Sequence, residues 1–117
     1  MTARVLICDD EPALRELMRI ALVGEYEFAE AESVAEAIEV GDAFRPHVAL
    51  VDVMMPGGSG LDVVRHLEET RCLVVSAFAA ETDQEEARAA GAAGFVSKPF
   101  DPDELSAMVA RLLADGA

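Results

Sequence analysis

Two hydrophobic periods alternate along the chain. Unbroken apolar runs, "VLIC" (Val5–Cys8), "VALV" (Val48–Val51), "LVV" (Leu73–Val75) and "GFVS" (Gly94–Ser97), have the length of strands buried on both faces. A fifth segment, "YEFAEA" (Tyr26–Ala31), alternates apolar and polar residues instead, which places it nearer a sheet edge. Between these runs the period changes to that of a helix. Leu14, Leu17, Met18, Ala21 and Leu22 fall on one stripe, and Leu105, Met108, Val109, Leu112 and Leu113 on another. Val34, Ala37 and Ile38 make a shorter stripe, as do Leu61, Val64 and Leu67.

Start signals agree with these helices. "SVAE" (Ser33–Glu36) and "TDQE" (Thr82–Glu85) have the form of capping boxes. "DPDE" puts Asp101 at an N-cap, Pro102 at the first helical position and Glu104 at the third. The helix after Thr82 offers only alanines to a core, so it is expected to open more readily than its neighbours. The predicted order is a strand and a helix repeated five times, with short connections. That alternation implies an α/β fold: a doubly wound, parallel five-stranded sheet with helices on both faces. One domain over residues 1–117 is expected, since no linker or second core interrupts the pattern.

Sheets of this kind bind ligands beyond the carboxyl ends of their strands. The residues at those positions here are Asp9, Asp10 and Glu11 after the first strand and Asp52 after the third. Ser76 follows the fourth and Lys98 the fifth. Each has an ordinary reading by itself. Asp9–Glu11 could cap the helix opened by Pro12, Asp52 could start a turn, and Ser76 could be a loop hydroxyl. Their convergence on one rim carries the weight. Two like charges about 4 Å apart repel by roughly 4 kcal/mol at an effective dielectric near 20, so clustered carboxylates need a countercharge. Lys98 is the single lysine beside eight arginines. A hard divalent cation completes such a set, and Mg²⁺ takes few carboxylates and accepts phosphate oxygen as a further ligand. Carboxylates, Mg²⁺, a hydroxyl and an ammonium describe a phosphoryl-transfer site, with Asp52 as the candidate nucleophile.

"VLICDDEP", "VALVDVMMPGGSG", "LVVSA" and "GAAGFVSKPF" together resemble the signature segments of the receiver domain of two-component response regulators, in order and over essentially the whole chain. The resemblance implies a flavodoxin-like strand order of 2-1-3-4-5. Asp52 would accept a phosphoryl group from a histidine kinase or histidine phosphotransfer protein. Asp10, Asp52 and the backbone carbonyl of Met54 would ligate Mg²⁺, with Asp9 acting mainly through water. Ser76 and Lys98 would contact the phosphoryl group, and Phe95 would be the aromatic switch partnered with Ser76. A cis bond between Lys98 and Pro99 is implied as well. The output would be a change in the face made by the fourth helix, the fifth strand and the fifth helix, read by an output domain or protein, or by a phosphorylation-dependent homodimer.

The net charge is −14, from 9 cationic and 23 acidic side chains. That field repels nucleic acid and anionic membrane, so neither is expected as a direct partner. Cys8 and Cys72 lack metal-type spacing and read as buried thiols. No apolar run approaches a membrane span and no secretory signal is read at the start, so a cytoplasmic location is expected. His47 and His66 are isolated and read as structural, and "GGSG" (Gly57–Gly60), lacking a P-loop lysine, as a flexible turn.

The chain departs from the family pattern in places. Leu61–Cys72 is shorter than usual, which trims the third helix or the loop after it. Ala93–Gly94 stands where members joined to winged-helix DNA-binding domains often carry acids, which weighs against their particular homodimer. Met54 and Phe78, two residues beyond Asp52 and Ser76, are apolar where water access is controlled, so slow self-dephosphorylation is expected. The protein is expected to be a signalling acceptor rather than an enzyme. The competing readings are a phosphorylation-independent binding module and, more remotely, an aspartyl-nucleophile phosphatase, which usually needs an acid where Met54 stands.

Overall fold

A computed structural model describes residues 2–77 and 81–115. Five strands form one parallel sheet: β1 (Ala3–Cys8), β2 (Tyr26–Ala31), β3 (Val48–Val51), β6 (Arg71–Ser76) and β7 (Gly94–Ser97). Two further strands, β4 (Met54–Met55) and β5 (Gly58–Ser59), pair antiparallel as a small hairpin after β3. The main sheet runs β2-β1-β3-β6-β7, the expected 2-1-3-4-5 order once the hairpin is set aside. The chain reverses direction across the sheet between β1 and β3, and this is the switch point where α/β sheets bind ligands.

The buried stretches of the central strands are apolar because both of their faces are covered. One face packs under α2 (Val34–Phe44), α3 (Gly60–His66) and α4 (Glu81–Ala90). Leu6, Cys8, Ala49, Val51, Cys72 and Val74 point that way. The other face packs under α1 (Pro12–Ala21) and α5 (Pro102–Asp115) through Val5, Ile7, Val48, Leu50, Leu73 and Val75. Both cysteines are free and buried. β2 lies at one edge, as expected, and is mostly half-buried; β7, expected to be buried on both faces, lies at the other edge and buries only Val96.

The helix starts follow from capping chemistry. The Glu36 N–H donates to Ser33 Oγ at 3.2 Å, while Glu36 Oε1 reaches back to the N–H of Glu32, one residue before the cap. Asp101 Oδ1 accepts from the N–H groups of Asp103 and Glu104, as its position before Pro102 requires. The other expected box is corrected: α4 begins at Glu81, so Thr82 lies inside the first turn rather than ahead of it.

Two further expectations change. Leu17 is 53% exposed, because the core-facing line of α1 runs through Met18, Ala21 and Leu22 and leaves Leu17 off its flank. "GGSG" is no loose turn. Gly58 and Ser59 form β5, the Ser59 hydroxyl accepts from Leu61 N–H, and Gly60 opens α3 as a buried residue. The trimmed segment appears as a seven-residue α3 followed directly by the turn into β6. Both histidines lie near the amino edge of the sheet. His47 Nδ1 accepts from the Arg4 N–H, and His66 pairs with Asp42 at 3.0 Å. No helix among the described residues is long and apolar enough to cross a membrane.

Candidate functional site

Asp9, Asp52 and Lys98 are each seated by one backbone bond that extends the sheet past the last strand residue. The Asp9 N–H donates to Ala31 O at 3.0 Å, the Asp52 N–H to Cys8 O at 2.9 Å, and the Lys98 N–H to Ser76 O at 2.8 Å. The parallel ladder thus carries Asp9, Asp52, Ser76 and Lys98, far apart in sequence, to one edge. Asp9 and Ser76 have no solvent exposure, and Asp52 is 6% exposed. Asp10 is exposed, and its carboxylate makes no hydrogen bond within the described residues.

Lys98 Nζ lies 2.6 Å from Asp9 Oδ2 and 2.9 Å from Asp52 Oδ2, bridging both acids. The other Asp52 oxygen accepts from the Met54 N–H at 3.0 Å and from Ser76 Oγ at 3.3 Å. Asp9 Oδ1 accepts from the N–H of Glu11. Burial by itself would lower the Lys98 pKa. Hydrogen bonds to Asp9 and Asp52, together with their charges, outweigh it and hold the ammonium above the usual lysine range. The Lys98–Pro99 peptide bond is cis. Phe95, partly buried on β7, packs against the apolar cluster under α2–α4, on an element adjacent to the one that carries Ser76.

One carboxylate oxygen from each of Asp9, Asp10 and Asp52 lies within 4.8 Å of the other two. Three carboxylates against one ammonium leave two negative charges uncompensated. The donors are hard oxygens, and one of them faces solvent. A small hard divalent cation suits this set in charge and in ligand type, and Mg²⁺ does so while keeping waters.

Three contributors went unrecognised in the sequence. The Met54 N–H is a direct donor to Asp52, which a side-chain reading misses. Gly60 lies against Asp52: a Cβ there would fall on the Asp52 carbonyl oxygen and 2.8 Å from its carbonyl carbon. Arg15 reaches the backbone of Asp9 from α1, with Nη1 donating to Asp9 O at 2.7 Å. The glycine had a signal, since a glycine just after a buried strand and turn marks close backbone approach. Arg15 had none, being one cationic position on an amphipathic helix.

The response regulator receiver domain family matches residues 5–110. The chain belongs to that family. Among curated proteins, this receiver is 37% identical over 117 residues to the DNA-binding response regulator MtrA of Mycolicibacterium smegmatis, covering 96% of this chain and 51% of that protein. It is 36% identical to the phosphate regulon transcriptional regulatory protein PhoB of Pseudomonas aeruginosa, covering 94% and 50%. The chain therefore spans about half the length of these relatives. Among solved structures, it superposes with a TM-score of 0.90 on the receiver domain of the response regulator NarL from Mycobacterium tuberculosis, at 33% identity, covering 97% of both chains. It also superposes with a TM-score of 0.88 on the chemotaxis protein CheY4 of Vibrio cholerae, at 29% identity, covering 97% of this chain and 100% of that one. The protein is thus a two-component receiver, in a family of signal-transduction phosphoproteins.

Proposed function

We propose that this receiver accepts a phosphoryl group on Asp52 from a phosphohistidine of a histidine kinase or histidine phosphotransfer protein, in a Mg²⁺-dependent reaction. The observation that carries this reading is the environment of Asp52. It is a nearly buried carboxylate with Lys98 on one oxygen, Ser76 and the Met54 N–H on the other, and two further acids within reach. An Asp52 oxygen attacks phosphorus as the histidine N–P bond breaks, and the imidazole leaves as the neutral base after taking a proton from solvent.

Asp10, Asp52 and the Met54 carbonyl would hold Mg²⁺, with Asp9 acting through water. The bound ion supplies charge neutralisation for the phosphoryl oxygens and a fixed orientation for attack. Lys98 then neutralises a phosphoryl oxygen as a point charge on a flexible stem. Ser76 rotates its hydroxyl from Asp52 to the new group. Phosphorylation takes Asp52 from one negative charge towards two, and the loops carrying Ser76 and Lys98 reorganise around it. The face made by α4, β7 and α5, with Phe95 as the switch residue, passes this change to an output domain or protein. α4 suits the task because Ala87 is its one buried residue among those described.

The protein acts here as a signalling acceptor, in the cytoplasm, with no direct contact to nucleic acid or membrane. The test is intact mass after incubation with Mg²⁺ and acetyl phosphate. One phosphoryl adduct is expected, absent without Mg²⁺ and absent in Asp52→Asn. Folded wild type that takes no adduct overturns the reading.

A further inference from the structure

Both backbone groups of Asp9 are tied to the end of β2, one directly and one through Arg15. Its N–H donates to Ala31 O at 3.0 Å. Its carbonyl oxygen accepts from Arg15 Nη1 at 2.7 Å, and Arg15 is itself held by Glu30, the residue before Ala31, with Nε 2.8 Å from Oε1. Arg19 Nη1 closes the other side of Glu30, at 3.1 Å from Oε2. The Arg15 side chain is only 15% exposed, so this is a shielded clamp and not a solvated surface pair.

The carbonyl that Arg15 holds belongs to the peptide between Asp9 and Asp10. A peptide unit is planar, so a constraint on its oxygen restricts the nitrogen and Cα of Asp10 as well. Among the described residues the exposed carboxylate of Asp10 has no hydrogen bond, so its aim depends on its backbone. We propose that Arg15, clamped by Glu30, is a positioning residue that aims Asp10 at the Mg²⁺ site. This rests on the Mg²⁺-dependent function proposed above.

A second role for Arg15 would have the opposite sign. As a mere positive charge near three acids, it would weaken cation binding, and its removal would tighten it. As a positioning group, its removal weakens binding. Outer-shell partners of metal ligands commonly contribute about tenfold or more in affinity. A planar fork serves two acceptors at once, which a lysine ammonium does less well.

The test measures the Mg²⁺ dissociation constant by calorimetry or by amide NMR shifts, with urea unfolding in parallel. The variants are Arg15→Met, Arg15→Lys and the charge-conserving pair Arg15→Met with Glu30→Gln. Leu113→Ala, on the α5 side, serves as a control for lost stability. The pair is expected to bind Mg²⁺ about tenfold more weakly, Arg15→Lys to recover part of the loss, and Leu113→Ala to bind like wild type. Equal or tighter binding in the pair overturns the positioning role and leaves the proposed function standing. A wild type that binds no Mg²⁺ at millimolar concentration overturns both.

Discussion

The ammonium of Lys98 stands 2.6 Å from Asp9, a carboxylate with no solvent exposure. Together with its 2.9 Å contact to Asp52, this makes Lys98 the internal countercharge of the acid cluster. Removing one partner of a buried pair leaves the other charge unpaired, at a cost of about 3 kcal/mol or more. Lys98→Met is expected to lose roughly that much stability in urea unfolding without Mg²⁺. Millimolar Mg²⁺ should restore part of it by taking over the neutralisation. A variant as stable as wild type in EDTA would show that the acids do not depend on this lysine.

Gly60 and Asp52 are in backbone contact, which leaves no room for a methyl group. Gly60→Ala must push the β3–α3 connection away from the site, and overpacking of this kind costs about 1–3 kcal/mol. Because the displaced backbone is that of Asp52, phosphoryl acceptance should fall by more than the lost stability explains. Comparing acetyl phosphate labelling at a temperature where both proteins are fully folded checks this.

Met54 is 65% exposed beside Asp52 and offers no side-chain group that could orient water strongly. Slow loss of the phosphoryl group is therefore expected. Met54→Asn should accelerate it roughly tenfold, equivalent to about 1.4 kcal/mol of better water orientation. The decay of the phosphorylated mass peak is the measurement. A wild-type lifetime of seconds, unchanged by polar replacement, would remove the argument. Phe78, the second position expected to control water, lies outside the described residues.

The two thiols and Lys98 make alkali destabilising. Burial, then the neighbouring Cys72, Asp9 and Glu36, push the Cys8 pKa well above the ordinary 9.0, and burial pushes Cys72 up to about 12. Unfolded thiols ionise above pH 9.0 while the folded ones stay protonated, so each stabilises fully below that pH and progressively less above it. Lys98, also raised, contributes below 10.5 and loses its effect at still higher pH. Urea midpoints should fall continuously from about pH 9 upward. In Cys8→Ala/Cys72→Ala that decline should begin later. Native protein should also resist alkylation at pH 8 and react in urea.

Much of this protein is legible in its sequence, for a definable reason. A parallel strand covered on both faces must be largely apolar, so "VALV" ends visibly at Asp52, whereas "GFVS", expected to be equally buried, is an edge strand that buries only Val96. The alternating "YEFAEA" marks one of the two edge strands for the same reason. Helix caps such as Asp101 are equally local, because donor and acceptor lie within three residues. Those features were determined by the order of residues alone, and with them the composition of the rim, while the strand order was implied by the family resemblance.

Tertiary structure decided the rest. Lys98 and Asp9 are separated by 89 positions, and their bond exists because register and strand order bring two strand ends together. The Arg15 clamp depends on where β2 ends relative to α1, and the need for glycine at position 60 on how closely α3 approaches Asp52. Leu17 matches the helical period yet faces outward, because α1 docks with Met18 and Ala21 against the sheet and leaves Leu17 to the side. Pattern reports which face of an element is apolar. Only packing sets the distances and angles between elements, and the chemistry of the rim is a matter of those distances.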